Sequence, residues 1–296
     1  MKVLLAIDSS KASQTVVSEA EQRPWPAGTK FCVIHVVDLW SFARVPAVIE
    51  DAKQAAQTMV KAAAAKLVHV GHDTNSDVLL GFPRKTVSEY AKDWGADLIM
   101  VGSHGQGALS RFLIGSVAQA VLRTAPCSVE IVRLSVDRTL PSSHGMKVLL
   151  ATDGSEASAE TSRSVAKRPW PSGSQFKIVS VVQLLIPENQ MSASALSSVY
   201  PASLLEELLD DARSRAHDAV ADARKALANA GISVLHIEAT PTGDPRVVLL
   251  DHASAWGADL IVMGSHGWRG VDSMLMGSVS ESVALHAHCS VEVIRG

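Results

Sequence analysis

Leu98-Ile-Met-Val-Gly-Ser-His-Gly105, followed after nine residues by Gly115-Ser116, is written a second time as Leu260-Ile-Val-Met-Gly-Ser-His-Gly267 followed by Gly277-Ser278. In each copy an apolar run too short for a helix meets a glycine-punctuated loop, and an amphipathic segment comes after it. The unit reads as strand, loop and helix N-terminus. Glycines allow close approach to the main chain, and a helix start offers unsatisfied N–H groups at the positive end of its dipole, which together suit a phosphate. The frame is not a Walker A loop, because no lysine follows a glycine at the required place, and it is not G-x-G-x-x-G.

Outward from this stretch the whole chain repeats. Met1-Lys-Val-Leu-Leu-Ala-Ile-Asp8 returns as Met146-Lys-Val-Leu-Leu-Ala-Thr-Asp153, and Arg23-Pro-Trp-Pro26 returns as Arg168-Pro-Trp-Pro171, both at an offset of 145. Cys127-Ser-Val-Glu-Ile-Val-Arg133 returns as Cys289-Ser-Val-Glu-Val-Ile-Arg295 at an offset of 162, so the second copy carries 17 extra residues. Their best location is 184–203, after the second strand of that copy. Residues 134–145, rich in Ser and Pro and without periodicity, read as a linker between domains 1–133 and 146–296.

Within the first copy, Lys2 to Ile7 predicts a strand, and Ser9 or Ser10 can cap a helix that ends near Gln22, before Pro24. Phe31 to Val37 is a second strand, Ile49 to Val70 a helix and Asp77 to Leu80 a short third strand. Pro83 suits the first turn of a helix ending near Trp94-Gly95. Asp97 to Val101 and Ser128 to Val132 complete five strands. Continuous apolar runs alternating with helical patterns predict a parallel sheet covered on both faces, and right-handed crossovers make it doubly wound.

The spacing G-x2-G-x9-G-[ST], together with the aspartate ending the first strand, resembles the ATP-binding members of the universal stress protein family over nearly the whole chain. The resemblance implies two Rossmann-like α/β domains with strand order 3-2-1-4-5. The first and fourth strands then meet at the switch point, where such sheets take ligands beyond their carboxyl ends. It also implies an adenine nucleotide in each domain: ATP, with ADP or AMP as alternatives and Mg as the companion ion of ATP. Asp8 and Asp153 would hold the ribose hydroxyls. Val36 and Val181 would line the adenine pocket, and Val101 and Met263 would also belong to the nucleotide site. Gly102, His104, Gly105, Gly115, Ser116 and Val117 would meet the phosphates, as would Gly264, His266, Gly267, Gly277, Ser278 and Val279. His104 and His266 read as main-chain contacts rather than catalytic bases. The functional reading is a nucleotide-dependent regulator in stress response; the alternatives are a slow Mg-dependent ATPase and a nucleotide-free interaction scaffold.

Composition limits the other classes. The 296 residues are 47% apolar and 19% charged, with a net charge of -3 and a pI near 6.4. No basic cluster favours nucleic acid, and no apolar run approaches a membrane span. Three cysteines without a C-x-x-C pair suit a reducing compartment, so a cytoplasmic protein is expected. His286, His288 and Cys289 lack a fourth ligand and read as helix-end residues rather than a metal site. Arg-Pro-Trp-Pro reads as a rigid turn and apolar plug on the rim opposite the ligand. The fifth strands, as sheet edges, are expected to pair antiparallel within the chain, bringing Arg133 or Arg295 near the opposing Glu292 or Glu130 if the register allows. A homo-oligomer is compatible with the same edges.

Overall fold

A computed structural model describes residues 1–39, 45–105, 114–133, 145–183, 201–267 and 276–296, with the backbone alone at 235–240. Most of the predicted linker and most of the predicted insertion lie outside the described residues.

The first half runs β1 (Lys2–Ala6), α1 (Lys11–Gln22), β2 (Lys30–Asp38), α2 (Pro46–His69), β3 (Asp73–Gly81), α3 (Pro83–Trp94), β4 (Leu98–Gly102), α4 (Ser116–Thr124) and β5 (Ser128–Val132). The second half runs β6 (Lys147–Ala151), α5 (Glu156–Lys167), β7 (Gln175–Val182), α6 (Ala202–Asn229), β8 (Val234–Thr242), α7 (Pro245–Trp256), β9 (Leu260–Gly264), α8 (Ser278–His286) and β10 (Ser290–Ile294). Among the described residues, no helix is long and apolar enough to cross a membrane.

Local chemistry sets these limits. Ser10 caps α1 by accepting the Ser13 N–H at 3.2 Å, and Pro24 ends that helix by disfavouring helical backbone at Arg23, whose φ and ψ are -75° and 137°. Pro83 opens α3, and Gly95 closes it in the left-handed region at φ 71°. β3 is longer than the apolar run predicted. Its first half, Asp73 to Ser76, is polar because the strand lies at an outer edge of the sheet, where side chains meet water.

The strands form one ten-stranded sheet ordered β3-β2-β1-β4-β5-β10-β9-β6-β7-β8. Each half carries the 3-2-1-4-5 order and is parallel throughout. The halves meet where β10 lies antiparallel to β5, with Glu292 opposite Glu130. Helices cover both faces, so central strands such as β1 and β4 bury consecutive residues: Val3, Leu4 and Leu5, and Leu98, Ile99 and Met100, are fully enclosed. On one face a single apolar cluster runs across both halves beneath α3, α4, α7 and α8. On the other, separate clusters lie beneath α1 and α2 and beneath α5 and α6.

Between those separate clusters the seam is polar. The arginine of each repeated Arg-Pro-Trp-Pro string reaches the glutamate of its own fifth strand. Arg23 Nη1 and Nη2 each donate to a Glu130 carboxylate oxygen at 2.7 Å, and Arg168 Nη1 donates to both Glu292 oxygens at 2.7 and 2.9 Å. This corrects the expected pairing of Glu130 or Glu292 with Arg295 or Arg133. The tryptophans plug as read: Trp25 donates to Ala20 O at 2.8 Å and meets Phe31 edge-on, and Trp170 does the same with Val165 O and Phe176.

Candidate functional site

Asp8 follows β1, and its carboxylate is fixed from within α1. Its Oδ1 accepts the Ser10 N–H at 2.9 Å and the Ser13 hydroxyl at 2.7 Å, while the Asp8 N–H donates to the same Ser13 Oγ at 2.8 Å. In the second half, Asp153 Oδ1 accepts from the Ser155 N–H at 3.0 Å and the Ser155 hydroxyl at 2.6 Å. The nets differ because Ser158 turns to Ser155 O at 2.9 Å and takes a bond from Thr152, a position held by Ile7 in the first copy. Gly154, standing where the first copy has Ser9, has φ 82°.

The second oxygen of each aspartate faces the glycine loop. A Cβ placed on Gly105 would come within 2.8 Å of Asp8 Oδ2, and one on Gly267 would collide with Asp153 Oδ2. Sequence-distant Asp8 and Gly105 are therefore adjacent on one rim, as are Asp153 and Gly267. Gly102 and Gly264 have a packing role, since a Cβ on Gly102 would lie 2.9 Å from the Ala12 Cβ and one on Gly264 3.2 Å from the Ala157 backbone. These two glycines let α1 and α5 lie close on the sheet.

The loops are stitched at both ends. Ser103 N–H donates to Val132 O at 2.8 Å, and Ser103 O accepts the Gly115 N–H at 2.6 Å; Ser265 makes the matching bonds to Ile294 O at 2.9 Å and from Gly277 N–H at 2.7 Å. The N–H groups of Gly115 and Gly277, two glycines expected at the phosphates, here close the loop by donating to Ser103 O and Ser265 O. What the two glycines do offer is an N-cap without a side chain. Among the described residues, no side chain is seen to cap α4 or α8, whereas Ser10 caps α1 and Ser155 caps α5. Ser116 and Ser278, the first helical residues, are exposed at those starts, with Val117 and Val279 half-buried behind them.

The apolar residues expected at the nucleotide site share one side of the sheet. Val36 and Val101 are buried in the common cluster, as is Met263, and Val117, Val181 and Val279 pack against it. Ile114 and Met276, each preceding an N-cap glycine, join them. Those two were not singled out in the sequence, although their position before the glycine, repeated in both copies, was the available signal. Ser10 and Ser13 were likewise missed as carboxylate anchors.

His104 and His266 each share a hydrogen bond through Nδ1 with the preceding serine hydroxyl, at 2.9 and 2.6 Å. The main chain of His104 is tied to α1, its carbonyl accepting the Ser10 hydroxyl at 3.2 Å. His35 on β2 has Nδ1 2.7 Å from Ile7 O, bracing the end of β1 just before Asp8. Its counterpart in the second copy is Ser180. Among the described residues, no group of three or more His, Cys, Asp or Glu side chains could hold a metal ion.

A model of the universal stress protein family matches residues 1–133 and again residues 146–295. Universal stress protein Rv2005c of Mycobacterium tuberculosis is 29% identical over 232 residues, covering 74% of this chain and 68% of its own. Universal stress protein YxiE of Bacillus subtilis is 28% identical over 151 residues, covering 50% of this chain and 98% of its own. Among solved structures, a universal stress protein from Archaeoglobus fulgidus superposes with a TM-score of 0.65 at 21% identity, over 99% of this chain and 96% of that one. That likeness is one of fold.

Proposed function

Because the chain belongs to the universal stress protein family, with one family domain in each half, we propose that each half binds one adenine nucleotide, ATP first among them, and that the protein acts in stress response as a nucleotide-dependent regulator. One observation, made twice, carries the reading. A fixed carboxylate, a glycine against which it rests and a helix start without a side-chain cap converge at the carboxyl ends of the first and fourth strands.

In this reading Asp8 and Asp153 receive the ribose hydroxyls, because a carboxylate held through Oδ1 presents its other edge in a set direction. Val36, Val101, Val181 and Met263 take the flat apolar base. The first-turn amides beginning at Ser116 and Ser278 take the phosphates, with the serine hydroxyls as additional donors. The main chain of Gly102, His104 and Gly105, and of Gly264, His266 and Gly267, forms the floor of each loop. Mg would enter as the companion ion of ATP, held by phosphate oxygens and water. Binding stands ahead of hydrolysis, since the features that carry the reading, a carboxylate, a glycine and a helix start, are all suited to holding a ligand. The setting we propose is the cytoplasm, consistent with three free cysteines.

The test is to denature freshly purified protein and identify released small molecules by mass spectrometry. ATP or ADP near stoichiometry is expected. Empty protein that also ignores added ATP contradicts the reading.

A further inference from the structure

The two arginines that do not pair with the seam glutamates, Arg133 and Arg295, cross the seam on the opposite face. Arg295 directly follows β10, and its Nη2 donates to Leu122 O at 2.9 Å and Arg123 O at 3.4 Å, the last carbonyls of α4. Arg133 directly follows β5, and its Nη2 donates to Ala284 O at 2.8 Å and Leu285 O at 2.9 Å, the last carbonyls of α8. Their backbones are exchanged too: the Arg133 N–H donates to Ser290 Oγ and the Arg295 N–H to Ser128 Oγ, each at 3.2 Å. The exchange is reciprocal, each domain closing the carboxyl end of the other domain's glycine-loop helix.

We propose that Arg133 and Arg295 are positioning residues in trans: Arg295 of the second domain sets α4 for the candidate nucleotide site of the first, and Arg133 of the first domain sets α8 for the site of the second. The nucleotide part rests on the function proposed above. A helix of nine residues is marginal alone. With a glycine at its N-cap and its amino end at the candidate site, its placement depends on packing and on its carboxyl end, where orphan carbonyls need donors and a cation is favoured by the dipole. Burial lowers the pKa of both guanidiniums from the ordinary arginine value, a cost that the carbonyls offset.

The same strand ends also hold the loops of their own domains. Ile294 O, the residue before Arg295, accepts from Ser265 of the second loop, and Val132 O, before Arg133, accepts from Ser103 of the first. One peptide unit therefore separates the anchor of one loop from the cap of the other loop's helix. Arg123 on α4 and Glu281 on α8 close the circuit with an ion pair at 2.5 Å.

The experiment uses the full chain. Hydrogen exchange read by mass spectrometry should show faster exchange across 116–124 in Arg295→Met and across 278–286 in Arg133→Met, each by about tenfold over the opposite helix. With the second site blocked by Gly277→Val, adding Arg295→Met should weaken ATP binding at the first site about five- to tenfold. With the first site blocked by Gly115→Val, adding Arg295→Met should change affinity less than about twofold. Arg295→Lys should restore part of the loss, because an ammonium can still donate to the two carbonyls. Exchange that follows each helix's own domain, or that changes in neither, overturns the proposal. ATP failing to bind any of these proteins overturns the nucleotide reading, while the exchange pattern still decides the crossed capping.

Discussion

Glu130 and Glu292 stand directly opposite one another across the antiparallel seam, both within 1% of complete burial. Like charges facing across a strand pair repel, and buried charges need partners. The guanidiniums of Arg23 and Arg168 supply those partners, one to each glutamate. The seam is thus a pair of ion pairs related by the internal repeat.

Removing one arginine strands a carboxylate, so Arg23→Ala should destabilise the protein by about 3–5 kcal/mol in urea unfolding. Arg23→Met combined with Glu130→Met should lose much less, since an apolar pair replaces a satisfied ionic one. Equal losses in the single and double variants would sink this account of the seam. A Glu130→Arg, Arg295→Glu exchange should give no rescue, because Arg295 lies against α4 carbonyls.

A fifth charged group breaks the balance. Glu19 on α1 also contacts Arg23, and its counterpart in the second copy is Ser164, so the cluster holds three carboxylates for two guanidiniums. Burial and the neighbouring Glu130 push the Glu19 pKa up to about 8 against the lowering effect of Arg23. The folded state therefore keeps a proton that the unfolded state releases above the ordinary carboxyl value of 4.5. The Glu19 contribution is intact below that value, declines as pH rises, and levels off above about 8. Urea unfolding at pH 6 and pH 8.5 should find the wild type weaker at the higher pH and Glu19→Gln weakened less. Identical pH dependence in the two proteins would refute the retained proton.

The strands and helices were legible wherever a local signal set them. Pro83 and Gly95 bracket α3 because each acts on its own backbone, and the buried runs of β1 and β4 announce a sheet covered on both faces. The polar half of β3 was not legible, since an edge strand is fixed by the register of its neighbour rather than by its own apolar pattern. The repeated glycines marked the candidate loops, but their division of labour is a matter of packing. Gly102 accommodates Ala12, and Gly115 spends its N–H on Ser103. Arg23 and Glu130 are 107 residues apart and Arg295 and Leu122 are 173 apart, so choosing the partner of each arginine required the register of the seam.

The packing role of the first loop glycine gives a graded prediction. Gly102→Ala should cost about 1–3 kcal/mol by overpacking against Ala12. Gly264→Ala should cost less, because its nearest neighbour is 3.2 Å away rather than 2.9 Å. Thermal or urea unfolding of the two variants checks the order, and a larger loss for Gly264→Ala would contradict the close approach assigned to α1 and β4.

The central claim is that each half holds an adenine nucleotide between its aspartate and its uncapped helix start. Calorimetric titration of ATP into nucleotide-free protein tests it most directly, comparing the wild type with Gly115→Val, Gly277→Val and their combination. A valine at either N-cap would crowd the loop carbonyl of Ser103 or Ser265, which lies 3.4 or 2.9 Å from the first carbon of such a side chain. The account predicts two ATP molecules per wild-type chain, one for each single variant and none for the folded double variant. A folded double variant that binds ATP with wild-type stoichiometry and affinity would contradict it.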